Sequence, residues 1–97
     1  MNPINYQVIY KNGEKTLVAL FGRNAEGRFY FNYVDNPKYE FPGFDIHSKR
    51  HMSDTLWEQI AFRVSNEIRY DHPKVPLEEL LKNTNGQLVT DHFEFLT

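Results

Sequence analysis

The dipeptide Asn12-Gly13 stands between two apolar, aromatic-rich runs, and this juxtaposition constrains the fold more than any other feature of the chain. Asn-Gly readily takes positive φ at both centres of a type I′ turn, whose twist matches that of two antiparallel strands. Residues 6–11 therefore read as one strand and residues 16–21 as its return. Residues 22–27 read as a polar loop. Residues 28–34 then read as a third strand, with Phe29, Phe31 and Tyr33 on one face and Tyr30 and Asn32 on the other. The result is a three-stranded antiparallel meander.

A turn follows at residues 35–38, where Asn36-Pro37 is biased away from helix. The chain then reads as irregular through Pro42-Gly43. Ser53 is placed to cap a helix, with Asp54 and Glu58 near its positive end. Leu56, Ile60 and Val64 recur at a spacing that makes one apolar stripe, and Asp71-His72-Pro73 ends the helix. Pro76 suits the first turn of a second helix carrying Leu77, Leu80 and Leu81, which Asn85-Gly86 stops. Residues 88–96 read as a final strand with Val89, Phe93 and Phe95 on one face. The expected order is βββααβ. This predicts a single α+β domain over residues 1–97, a small antiparallel sheet (meander plus C-terminal strand) with two helices.

Composition narrows the function. Aromatic residues make up 15% of the chain and supply much of its buryable surface. A net charge of −2 gives no basic excess to attract nucleic acid or an anionic membrane. Without cysteine there is neither a disulfide framework nor thiolate chemistry. No apolar run approaches the length of about 20 residues that spans a bilayer, and no secretion signal is visible. A cytoplasmic protein is expected.

Few residues suggest chemistry. Gly22 and Gly27 have the gap of a phosphate loop, but Arg28-Phe29 stands where Lys-Ser/Thr belongs and no helix follows. His47 and His51 have helical metal-ligand spacing, yet they precede the expected cap and lack a third ligand. Asp91 and His92 are neighbours on an expected strand and would point to opposite faces. Asp91 therefore reads as a structural carboxylate at the sheet end. Glu78-Glu79 reads as the solvated first turn of the second helix. Gly27-Arg28-Phe29-Tyr30-Phe31 matches an RNA-recognition strand poorly. No nucleophile, base and orienter gather, so no catalytic residue, cofactor or metal is assigned and the chain reads as a non-enzyme.

Trp57, the only tryptophan, has two readings. On a helix it shares the apolar arc of Leu56, Ile60 and Val64, which makes it a core residue. Tryptophan is also enriched among binding hot spots, which makes it an interface anchor. Phe62 falls on the polar side, either covered by residues 35–52 or exposed to a partner.

Three stretches, in order, resemble one family. YKNGEKTLVALFGRNAEGRFYFNYVD resembles the opening of HipA-type kinases, a hairpin followed by a strand ending in Phe-x-Tyr. The pattern Phe-Pro-Gly-Phe, then Ser-Asp-x-Leu-(Phe/Trp) and Arg, is matched by Phe41 to Phe44, Ser53, Asp54, Leu56, Trp57 and Arg63. The closing pattern is matched by Glu79, Leu80, Leu81, Thr84, Gly86, Thr90, Asp91, Phe93, Glu94 and Phe95. Asp45 stands where the family often has proline. The chain stops where such a kinase would continue into its catalytic body. In this it resembles the HipS-like small subunits of split HipBST toxin–antitoxin systems.

The resemblance implies an antitoxin that binds and inhibits a HipT-type Ser/Thr kinase toxin, in a larger complex with a HipB-type helix-turn-helix protein. The runner-up reading is a non-inhibitory docking or assembly subunit that links the two. The expected docking element is residues 50–57, entering the kinase cleft. The candidate partner-binding residues are Trp57 as the anchor, Asp54 facing a basic wall, Ser53 as the helix cap, and Met52 and His51 beside them.

Overall fold

Residues 3–88 and 91–97 are described by a computed structural model. Val89 and Thr90, assigned above to the last strand and to the family pattern, lie outside the described residues. The first hairpin is formed by β1 (Ile4–Asn12) and β2 (Glu14–Arg23). Its register closes at Asn12↔Glu14, so Gly13 alone lies between the strands, at φ +79°. The turn thus uses one left-handed residue, not the expected two. β2 also runs past its expected end, because Gly22 pairs with Asn5 on one side and Tyr30 on the other. A bulge between Val8 and Ile9 shifts the register from Val8↔Ala19 to Ile9↔Leu17. The extra residue lets Val18 and Ala19, adjacent in sequence, both be buried.

β3 (Phe29–Tyr33) continues the meander and buries Phe29, Phe31 and Tyr33, as its alternation implies. A further strand, β4 (Arg50–Ser53), pairs antiparallel with β3 in a stretch that reads as irregular. With β5 (Phe93–Leu96) the five-stranded order is β4-β3-β2-β1-β5. The fold is α+β, an antiparallel sheet with helices packed on one face. Tyr6, Phe21, Phe31, Phe41, Phe44 and Phe95 form the aromatic centre of its core.

Between β3 and β4, Phe41-Pro42-Gly43-Phe44 makes a tight turn closed by Phe44 N–H to Phe41 O (3.1 Å), with Gly43 at φ +87°. The Tyr33 hydroxyl fixes this turn. It accepts from Phe41 N–H (2.9 Å) and donates to Phe44 O (2.6 Å). Phe44 is thereby held flat on Phe31, ring centroids 4.1 Å apart.

The expected first helix is two short ones, α1 (Glu58–Ala61) and α2 (Asn66–Asp71). Ser65 caps the second, its Oγ accepting from Ile68 N–H (3.3 Å). Arg69 bridges the break, donating to Ala61 O, which also accepts from Val64 N–H, and, at 3.0 Å, to Val64 O. Ile60 and Val64 still reach the core, so the stripe identifies buried residues although the helix carrying it is interrupted. α3 (Leu77–Thr84) ends at Asn85 (φ +54°) and Gly86 (φ +61°), where the sequence places its stop.

Two ion pairs tie the helical side to the sheet, one buried and one part-buried. Glu78, expected to be solvated, is buried against Arg23 of β2, and its backbone carbonyl accepts from the Tyr6 hydroxyl (2.5 Å). The carboxylate faces inward because a strand brings it a cation. Arg63, only 3% exposed, lies over the rings of Phe41 (4.7 Å) and Phe95 (5.6 Å) and pairs with Asp91. Among the described residues no helix is long and apolar enough to cross a membrane.

Candidate partner-binding site

The five candidate residues fall at one corner of the sheet, where β4 ends and the chain turns into α1. They share a stretch of chain but not a face. Alternation along β4 turns His51 and Ser53 toward the helices and Met52 away from them. The His51 ring meets Phe44 edge-on (5.2 Å), and its Nε2 lies 3.3 Å from Asp45 O. Met52 is 49% exposed on the opposite face beside Tyr30.

Ser53 does not cap a helix. It is the last residue of β4, and its Oγ accepts from Thr55 N–H (3.1 Å), which tightens the turn out of the strand. Asp54 is exposed and accepts from Arg28 Nε at 2.9 Å. An ion pair so open to water adds only about 0.2–1 kcal/mol. The pair orients the Asp54 carboxylate without neutralising the corner's capacity for polar contacts. Arg28 is the neighbour that sequence reasoning missed. Only the β3–β4 pairing, which sets Phe29 opposite Ser53, brings it near Asp54.

Trp57 is the N-cap of α1 and lies outside its first turn. Its carbonyl accepts from Ile60 N–H (3.1 Å) and Ala61 N–H (2.9 Å). The indole is half-buried and stands edge-on to Phe44, centroids 4.9 Å apart. Phe44 rests in turn on Phe31. One part of Trp57 thus packs against the core, and the rest is open to solvent. Phe62 is exposed (56%), not covered by the preceding segment.

The remaining motifs fall elsewhere. Gly22 is inside β2, and an added Cβ would collide with Ile4 O and the Tyr30 ring, which accounts for glycine there without a phosphate. The loop after β2 is closed by Asn24 Oδ1, which accepts from Glu26 N–H (3.1 Å) and Arg28 N–H (3.0 Å). The three β3 aromatics that could stack bases face the core, while Tyr30 donates to Asn5 Oδ1 (2.6 Å). Asp91 accepts from Phe93 N–H (3.1 Å) and pairs with Arg63, whereas His92 meets the Tyr10 ring edge-on (5.5 Å). Among the described residues no cluster of His, Cys, Asp and Glu is arranged to hold a metal. No family model, curated protein or solved structure matches this chain.

Proposed function

We propose that this protein is a cytoplasmic, non-catalytic antitoxin that binds and inhibits a HipT-type Ser/Thr kinase toxin. The reading rests on the ordered resemblance of three sequence stretches to HipS-like small subunits. The structural observation that supports it best is the Trp57 corner. An indole half-seated on a rigid aromatic stack, flanked by exposed Asp54 and Met52, is pre-organised to insert into a cleft with little loss of conformational freedom. Asp54 lies beside it as an anion for a cleft that binds phosphate groups. His51 and Ser53 support the corner from the core side. In this scheme a HipB-type protein joins the complex through the kinase.

The test is co-expression with a HipT-type kinase that arrests growth. Wild-type protein should restore growth and co-purify with the kinase. Asp54→Lys, at an exposed position whose loss leaves the core intact, should weaken rescue. Trp57→Ala should abolish it, with circular dichroism showing a retained fold. Co-purification without rescue would instead assign the protein as a non-inhibitory assembly subunit.

A further inference from the structure

The two edges of the sheet are finished differently. On β5, the bond from Lys11 N–H to His92 O (2.9 Å) and the Ile9↔Glu94 register turn the N–H groups of Phe93 and Phe95 away from β1. Both are satisfied. Phe93 N–H donates to Asp91 Oδ1 (3.1 Å), and Phe95 N–H donates to Asn85 O (2.5 Å). That edge is closed by the chain itself.

β4 is left open. The bond from Tyr33 N–H to Lys49 O (2.8 Å) and the Phe31↔His51 register point the backbone groups of His51 and Ser53 toward β3. Those of Arg50 and Met52 point outward, and no chain pairs with them among the described residues. An unpaired edge is a template for another strand. Proteins blunt such an edge with a short strand, charged side chains, a proline or a bulge; β4 is short and carries Arg50, which limits but does not close the edge. Arg50-His51-Met52-Ser53 contains no proline, and its pairing with β3 has no break in register.

The side chains indicate which strand fits. Arg50 and Met52 lie on the sheet face opposite the helices, and Asp54, just past the strand's end, is held by Arg28; all three are exposed. Their order is cation, apolar, anion. An antiparallel copy centred on Met52 therefore brings Arg50 near Asp54 twice, at the strand ends on either side of a Met52–Met52 pair. Directly opposed unlike charges and apolar pairs are the contacts that stabilise a strand pair. Arg28 takes Asp54 Oδ1 through its Nε, which leaves Oδ2 for Arg50 of the second copy. On the other face His51 opposes Ser53, which brings no like charges together.

We propose that β4 is a self-association edge, through which two copies pair antiparallel about a two-fold axis at Met52 and continue the sheet from one to the other. A four-residue strand buries far less than the ~1,200–2,000 Å² of stable complexes, so the dimer is weak. Met52 and Asp54 also belong to the proposed kinase-docking corner, so self-pairing and kinase docking exclude one another.

The test uses the isolated protein and no kinase, so its outcome is independent of the antitoxin reading. Sedimentation equilibrium from about 10 µM to about 1 mM should show a reversible monomer–dimer equilibrium. Arg50→Glu faces Asp54 with a like charge and should weaken association at least ~10-fold, while Arg50→Asp combined with Asp54→Arg should restore most of it. Met52→Cys supplies a register-specific readout in a chain without cysteine. The Cα atoms of an antiparallel hydrogen-bonded pair lie about 5.5 Å apart, within disulfide range, so oxidation should link the two copies. Leu17→Cys, exposed on the same face but two strands inside the edge, should link at least ~10-fold more slowly. A wild-type protein that stays monomeric throughout overturns the proposal and leaves the edge to a strand of some other protein. So does a dimer indifferent to both the charge reversal and the cysteine position.

Discussion

Removing the Asp91 carboxylate should be among the most damaging single changes in this chain. Its partner Arg63 has a side chain only 1% exposed, held over Phe41 and Phe95. In Asp91→Ala the guanidinium keeps Gly86 O as an acceptor (2.9 Å) but loses its counter-ion, and Phe93 N–H loses its acceptor. Breaking a buried pair from one side costs about 3–5 kcal/mol, because the remaining charge stays desolvated. For a domain of this size each kcal/mol lowers Tm by about 4–8 °C, so a fall of at least ~12 °C is expected. Asp91→Asn also removes the counter-ion but keeps an acceptor for Arg63 and Phe93 N–H, so it should cost less than Asp91→Ala, by about 1 kcal/mol. Arg63→Met with Asp91→Leu removes both charges and should recover most of the loss. Urea unfolding of the four proteins provides the assay. A cost below about 1 kcal/mol for Asp91→Ala, or a double variant no better than the single, would refute this account of the sheet end.

Three further outcomes follow from the same geometry. Tyr33→Phe strands the buried Phe41 N–H and should cost about 1–3 kcal/mol in urea unfolding, with local opening of the Phe41–Phe44 turn visible by hydrogen exchange. Gly43→Ala meets both a φ of +87° and a Gln59 side chain 2.6 Å from the added Cβ; it should destabilise by at least about 1 kcal/mol and shift Trp57 emission, because Phe44 carries the indole. Burial, reinforced by the nearby Glu79 and Glu78 carboxylates, pushes the Tyr6 phenol above its ordinary 10.0. The fold then favours the neutral form, so this contribution is complete below pH 10.0 and is lost as pH rises beyond it; alkaline unfolding should be milder in Tyr6→Phe relative to its own neutral stability.

The sheet's centre was legible because its signals are local. Asn12-Gly13 marks a reversal, and the alternating aromatics of β3 declare which face is buried. β4 was not legible, because Arg50-His51-Met52-Ser53 has no apolar alternation. It is an edge strand that pairs with β3 alone among the described residues, and its inward residues are a histidine and a serine. The same cause hid the site's geometry: without the strand, Ser53 looks like a cap and residues 50–57 look like one surface. The helix break escaped periodicity because Ile60 and Val64 hold their positions in the core while Ser65 and Arg69 satisfy the interrupted backbone. Glu78 looked solvated because its cation comes from Arg23, distant in sequence. The burial of Trp57 is not readable from helical periodicity, since its packing depends on Phe44, which a turn bonded to Tyr33 presents.

The central claim is that the Trp57 corner enters the kinase cleft, and Trp57 is the only tryptophan. Protein labelled with 5-fluorotryptophan therefore gives a single fluorine resonance that reports this corner. Titration with a HipT-type kinase should shift and broaden that resonance, and excess nucleotide should reverse the change by competing for the cleft. A complex that forms by sedimentation while the resonance stays unmoved would contradict the account.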